Sequence, residues 1–522
     1  MGGNHSTIPP PPPNFPYFAV CFRARDKIKL IHADQQVIDT TRQIVAQFYQ
    51  APQREYMDEG VFVVQLHGTP FLRGGTSAAE ALAMKRTCCA LVATYRTIGW
   101  ALFLASDLSR QQDNTTWFFQ RHPELVGQPG SLICALSISS YDRLQLVNAP
   151  SWLQPVFAHA CSPMLQQAQK IGPNEYEVQL HGRPWESRNF EEGVATRRML
   201  LALFRDFDAN RFVYTGSVNL KGTADSLLFE QKPSHTPGQR FTVLSLNATD
   251  RIRLIEAPAE VISAVRECVA RHWPRGMQEE MQHPRFHCHE LKLLGRPWEA
   301  AYGEEAVASR LLITVILQTM VAQGWAMVCA MDVTRRVNDK AVFVFRSCRP
   351  TSLAHCCFAP ASTDLVRLIN APQEVVQAVG QLLATYWPYG IQEQGARHGA
   401  YEWKLGGNPW SGMVGNDYLV ARSMMCHALA CLGALGWRAV CSADVSAKFQ
   451  HQQQHTGGAH HHHGGGHSYP VDVHSVFFAH TGVAPSKPVD APQPQAEPSA
   501  PLDPALDLPP SYMEAVGGRF RT

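Results

Sequence analysis

A heptapeptide recurs four times along the 522-residue chain, as QLHGTPF at 65–71, QLHGRPW at 179–185, KLLGRPW at 292–298 and KLGGNPW at 404–410. Two further landmarks keep step with it. IKLIHAD (28–34), LQLVNAP (144–150), IRLIEAP (252–258) and VRLINAP (366–372) run ahead of it, and GWALFLASD (99–107), NRFVYTGSV (210–218), GWAMVCAMD (324–332) and GWRAVCSAD (436–444) follow. Three landmarks in one order, four times over, require a duplicated domain. The period of about 113 residues is domain-sized and too long for a solenoid unit of ~20–50 residues. The chain divides into modules at 17–122, 131–232, 239–348 and 354–481, between a leader, 1–16, and a tail, 482–522.

The third module carries the clearest pattern. RFTVLSLNATDRIRLIEA (240–257) alternates apolar and polar residues around Asn-Ala-Thr-Asp, as a β-hairpin does. PAEVISAVRECVARHW (258–273) has helical spacing, with proline near its start where a missing N–H costs little. HELKLLG (289–295) reads as a strand ended by Gly295 and Pro297. GEEAVASRLLITVILQTMVAQGW (303–325) is a long apolar helix with acids in its first turn, where the helix dipole favours them, and WAMVCAMDV and KAVFVFRS form a closing hairpin. The expected fold is α+β: four tandem repeats, each ββαβαββ, with one antiparallel sheet packed against two helices.

The string K-L-x-G-x-P-W, an arginine twelve residues on, then G-W and an apolar strand ending in Asp, resembles repeats of uncharacterised fungal and invertebrate proteins. The resemblance covers roughly residues 17–480. It implies no activity.

Composition excludes several classes. A net charge of +2 with 17% charged residues gives no basic stripe for nucleic acid. No run of 18 apolar residues occurs, and the first residues lack the basic start and apolar core of a secretory signal. The fourteen cysteines, with adjacent pairs at Cys88-Cys89 and Cys356-Cys357 and no C-x-x-C, read as reduced thiols of a cytoplasmic protein. No nucleophile elbow, P-loop, dinucleotide fingerprint or H-E-x-x-H is present, so no catalytic residue and no cofactor is assigned. His67 and His181 share a site that becomes Leu294 and Gly406 in the other repeats. His287 and His289 in FHCHEL fall on one face of a strand but are too few for a metal, so no metal site is assigned either. The His/Gly-rich stretch 450–469 reads as an extended hairpin loop in module four.

Recurring side chains fall at two places. Trp185, Trp298 and Trp410, with Phe71 in module one, follow Gly-x-Pro and read as plugs at the strand-to-helix corner, a ligand-stacking platform being the rival. Twelve residues past each Trp stand Arg197, Arg310 and Arg422, and module one offers Arg86 after a three-residue insertion. A guanidinium on an apolar helix needs a partner. Asp107, Asp332 and Asp444 are candidates, with Val218 replacing the acid in module two; so are Glu192, Glu305 and Asp417, with no acid at that spacing from Arg86. The arginines are either structural or anion-binding.

The ends carry the functional signals. Gly2, with Ser6 four residues on, fits the N-myristoylation pattern, and a single acyl chain gives only reversible membrane attachment. Pro9 to Pro13 form a polyproline segment, either a stiff spacer or a docking peptide. The tail is rich in Pro, Ala, Asp, Ser and Gln and is expected to be disordered. In it PPSY, with Pro509, Pro510 and Tyr512, resembles the PPxY ligand of group I WW domains, which implies WW-domain partners such as HECT-type ubiquitin ligases. The expectation is a non-enzymatic adaptor or scaffold, peripheral on the cytosolic face of a membrane. The alternatives are a self-assembling, matrix-like homo-oligomer in budding or trafficking, and an enzyme with an unrecognised site between modules.

Overall fold

The computed structural model describes residues 8–71, 77–109, 113–187, 189–220, 225–300, 302–333, 340–411, 416–446, 449–451, 468–470 and 473–482. Gly2, most of the His/Gly-rich stretch and the PPSY motif lie outside these residues. Module one runs β1 (Tyr17–Arg23), β2 (Lys27–Ile31), α1 (Gln35–Phe48), β3 (Arg54–Asp58), β4 (Val61–Gln65), α2 (Ala78–Thr97), β5 (Trp100–Ser106) and β6 (Asp113–Arg121). Module two has β7 (Ile133–Ile138), β8 (Arg143–Val147), α3 (Leu153–Ala160), β9 (Leu165–Gly172), β10 (Glu175–Leu180), α4 (Phe190–Ala209), β11 (Phe212–Val218) and β12 (Ser226–Gln231). Module three has β13 (Phe241–Asn247), β14 (Arg251–Ile255), α5 (Ala259–His272), β15 (Met277–His283), β16 (Cys288–Leu293), α6 (Gly303–Ala322), β17 (Trp325–Met331) and β18 (Val342–Ser347). Module four has β19 (His355–Ala361), β20 (Leu365–Ile369), α7 (Gln373–Tyr386), β21 (Ile391–Arg397), β22 (Ala400–Leu405), α8 (Asp417–Ala434), β23 (Trp437–Ala443), the short pair β24 (Phe449–His451) and β25 (Ser468–Pro470), and β26 (Ser475–His480).

Each module builds a six-stranded antiparallel sheet of one topology, β3-β4-β2-β1-β6-β5 in module one, so the α+β fold class holds. The pattern reading gave five strands, and the sixth is β3 with its equivalents β9, β15 and β21. These are outer edge strands of sequence REYMD, LQQAQKIG, MQEEMQH and IQEQGAR, with no fully buried residue and without an apolar face to announce them. Polar edges of this kind discourage sheet-to-sheet aggregation.

All seven residues of β1 are buried, and so are all seven of β19. A strand covered on one face alternates; these are covered on both. Phe18, Val20 and Phe22 pack into module one's own core, while Tyr17, Ala19 and Cys21 join a core with Val420, Met424 and Ala428 of α8 in module four. The same division recurs around the chain. Ile133 and Ala135 of β7 pack with module one, Phe241 and Val243 of β13 with module two, and Cys357 and Ala359 of β19 with module three. The second helix of each module therefore lies between its own sheet and the next one, and α8 of module four closes back on the first sheet. A head-to-tail contact whose rotation closes makes a ring, and here four modules of one chain form it.

Ring closure explains two patterns. First, α6 is long and apolar enough, by length and composition, to cross a membrane, yet it is mostly buried; a helix held between two sheets is apolar all round. Second, the edge strands β5, β11, β17 and β23 pack against one another around the ring axis. Each carries a register shift at the same place, at Leu102/Leu104, Tyr214/Gly216, Met327/Cys329 and Ala439/Cys441, and bulges bend edge strands away from continuous pairing.

Four backbone hydrogen bonds tie the modules at the end of those strands. The carbonyls of Asn219, Asp332, Asp444 and Asp107 accept the N–H of Thr115, Asp225, Ala341 and His474, each from the preceding module, at 3.0–3.2 Å. The position in module two is thus Asn219, seven residues after Phe212 as Asp107 is after Trp100, and Val218 lies one place earlier.

The leader also differs from a free spacer. Ile8 is buried, and its N–H donates to the Glu59 carbonyl at 2.9 Å. Gly60, at φ +87°, would place a Cβ 2.4 Å from the Ile8 oxygen, so only glycine admits this approach. The Phe15 ring lies 4.6 Å from His427 and 5.3 Å from His32. Residues 8–16 form a strap across the seam between modules four and one.

Candidate functional site

The recurring Gly-x-Pro corner is held by an acid on the following helix. Glu80, Glu192, Glu305 and Asp417 each accept the backbone N–H of the residue after the glycine, at 3.0, 2.6, 2.9 and 2.8 Å. Gly68, Gly182, Gly295 and Gly407 all have φ between +70° and +91°, and a Cβ on any of them would meet that carboxylate at 2.2–2.7 Å. Positive φ and close approach both demand glycine. Beside each corner Trp185, Trp298 and Trp410 are fully buried, and Phe71 fills the same place. The indole N–H groups of Trp298 and Trp410 donate to the carbonyls of Arg251 and Leu365, at 3.0 and 2.8 Å.

The clamp sets the helix register and corrects one assignment. Five residues beyond the clamping acid stand Lys85, Arg197, Arg310 and Arg422. Arg86 is one place off and is the equivalent of Arg198; the acid that module one lacked by counting from Arg86 is Glu80. All these cations reach into the next module. Lys85 Nζ donates to Gln145 Oε1 at 2.8 Å and Arg86 Nε lies 3.5 Å from Glu175. Arg197 Nε donates to Ser245 Oγ at 2.8 Å, and Arg310 Nη1 to Ser446 Oγ at 3.4 Å and to the Ala306 carbonyl. Arg422 donates to Ser109 Oγ at 2.9 Å, to Thr116 Oγ1 at 3.3 Å and to the Tyr418 carbonyl. A buried guanidinium with fixed hydroxyl and carbonyl acceptors joins modules without needing a bound anion.

An open cleft of about 740 Å³ lies where α4 of module two faces module three, its lining including Arg198, Glu256, Ile262, Gln282, His287 and His289. Arg198 and Arg205 share the Glu256 carboxylate, at 2.9 and 3.1 Å, and His289 Nε2 lies 2.8 Å from Glu280. His287 and His289, paired by sequence, do line one cleft, but among the described residues no three His, Cys, Asp or Glu side chains converge to hold a metal. Cys288 offers no nucleophile, because it is 4% exposed and burial pushes its thiol up to about 11. All fourteen cysteines are free, and twelve are buried. The sequence signalled only the two histidines of this cleft; that Arg198 of module two completes it could not be read from one module alone.

One domain-family model matches the chain four times, over residues 16–120, 132–230, 240–346 and 354–457. No curated protein and no solved structure matches it.

Proposed function

The chain belongs to the domain family that it matches four times over, and we propose that it works as a non-enzymatic, membrane-associated adaptor, a closed ring whose two ends do the binding. The observation that carries the reading is PPSY at 509–512, in a stretch rich in proline that follows the last strand. Prolines preset the extended form that fits an aromatic groove, and Tyr512 would fill a separate pocket beside it. A WW-domain protein such as a HECT-type ubiquitin ligase is the partner class. Gly2 would carry a myristoyl chain, and the Ile8 strap leaves at most about 20 Å of extended backbone between lipid and ring. Such a short tether would hold the seam of modules four and one close to the bilayer. Ring closure favours this reading over a self-assembling matrix, because the head-to-tail surfaces that would otherwise propagate are used within the chain.

Replacing Tyr512 with alanine is expected to weaken capture of the full chain by an immobilised group I WW domain at least about tenfold, as loss of a buried aromatic anchor does. Undiminished capture would remove the docking claim. Gly2→Ala is expected to move the protein from the membrane pellet to the supernatant in cell fractionation. An unchanged distribution would remove the anchor while leaving the docking claim intact.

A further inference from the structure

The cleft between modules two and three has a counterpart at the seam between modules four and one, and there it is filled. Strand pairing sets the equivalence, since Leu254 pairs with His289 in module three as Leu30 pairs with Phe62 in module one. Glu256, Ile262 and His287 of the cleft therefore correspond to His32, Ile38 and Gly60. The backbone agrees: Glu256 and His32 have φ of 55° and 60°, and His287 and Gly60 have 49° and 87°. On module one this place is taken by the leader, which bonds to Glu59, closes over Gly60 and sets Phe15 against His32. The leader reads IPPPPPNF from 8 to 15, an aliphatic anchor, prolines and an aromatic ring. The fold thus displays what this groove accepts, an extended proline-rich segment.

We propose that the cleft between modules two and three holds the C-terminal segment 501–512 of the same chain, PLDPALDLPPSY. Its end, Leu508-Pro509-Pro510-Ser511-Tyr512, repeats the leader's order of aliphatic residue, prolines and ring. Charge selects between the two grooves. The uncharged leader lies beside His32 and Ser423. The cleft instead is lined by Arg198, whose partner Glu256 is also held by Arg205, and by His289, which takes up the Glu280 carboxylate, and Arg285 is stacked over Phe286 next to the lining Pro284. Between 488 and 518 the tail has five acidic residues and no lysine or arginine. Length suffices: residues 483–500 extend to about 60 Å, against a radius of gyration of about 24 Å for a compact chain of this size.

Docking would withdraw Tyr512 from partners, so the tail is its own inhibitor; this consequence, unlike the docking, rests on the WW-ligand reading above. The apparent affinity for a WW domain then falls by the fraction of tails that are free.

The test places a photo-reactive benzoylphenylalanine at Leu506 of the full chain and maps its cross-links by mass spectrometry. Cross-links to 256–262 and 282–289, independent of protein concentration and lost in Arg285→Glu or Arg198→Glu, are the expected result. Cross-links elsewhere, or none, overturn the proposal. Cross-links that rise with concentration assign the cleft to a second copy's tail and overturn the intrachain assignment. In parallel, the full chain is expected to bind a WW domain about tenfold more weakly than a free peptide of 501–516 does, with Arg285→Glu closing the gap. If the free peptide fails to bind, the adaptor reading falls while the cross-links still decide the docking.

Discussion

Trp298→Ala is expected to lower the unfolding free energy by about 3–5 kcal/mol, the cost of emptying a fully packed aromatic site. Trp298 is fully buried, its indole N–H donates to the Arg251 carbonyl at 3.0 Å, and its backbone N–H donates to the Thr249 carbonyl. Removing the ring leaves a cavity and an unsatisfied carbonyl at the corner from which α6 departs. The loss would not stay in module three. The core that holds Trp298 also contains Cys357, Ala359 and Phe477 of module four, so urea denaturation should shift to lower midpoint as one transition. The chain supplies its own control. Phe71 occupies this place in module one, so Trp298→Phe should cost only about 1–2 kcal/mol. Equal midpoints for the alanine and phenylalanine variants would show that the ring does not plug the corner.

Module number, fold class and corner were legible because duplication makes one chain its own comparison. Landmark spacing located Trp185, Trp298 and Trp410 at a single site, and the structure buries all three. The ring was not legible, although its signal stood in the sequence. YFAVCF and CCFAPA are apolar runs, and a strand covered on both faces reads that way, but nothing local says that the second cover is a helix of another module, α8 at 417–434 for β1 and α6 at 303–322 for β19. The cation register failed for a different reason. Counting forward from Phe71 crosses a stretch of different length in module one, whereas the fixed distance is the one between the clamping acid and the cation along the helix, from Glu80 to Lys85. The clamp bond itself, carboxylate to backbone N–H, has no sequence pattern beyond an acid in the first helical turn. The cleft between modules two and three needed both registers at once.

Between pH 6.5 and 4 the chain is expected to lose stability steeply, with the seam of modules four and one opening first. Burial holds His32, His355, His427 and His474 down at about 4, against an ordinary value of 6.5, and His427 adds repulsion to His32. Above pH 6.5 folded and unfolded chains carry these rings neutral alike. As pH falls below 6.5 the unfolded chain takes up protons that the folded chain refuses, and stability declines until about 4, where the folded rings protonate too. For a well-buried ring, such as His355 at 4% exposure and His427 at 6%, the depression amounts to about 3 kcal/mol. Asp225 works in the opposite sense. Burial raises its carboxyl from 3.8 to about 6, so the folded chain gains stability as pH falls through that value. Against one raised carboxyl stand these four imidazoles, a fifth at His272 that burial also depresses, and Glu177, where against burial the partners Gln145 and Arg143 hold the carboxyl down, which leaves a net loss on acidification. Three of the four lie at one seam. His32 Nε2 is 2.8 Å from Ser423 Oγ, the rings of His32 and His427 are 5.3 Å apart, and the His474 N–H donates to the Asp107 carbonyl. Phe15 rests on both histidine rings, which ties the leader's release to their protonation. Hydrogen exchange at pH 7.5, 6, 5 and 4.5 should show protection in β1 and α8 failing before that in β13 and α4, and His427→Gln should flatten the decline. Uniform loss of protection around the ring, or a decline unaffected by that substitution, would place the acid sensitivity elsewhere.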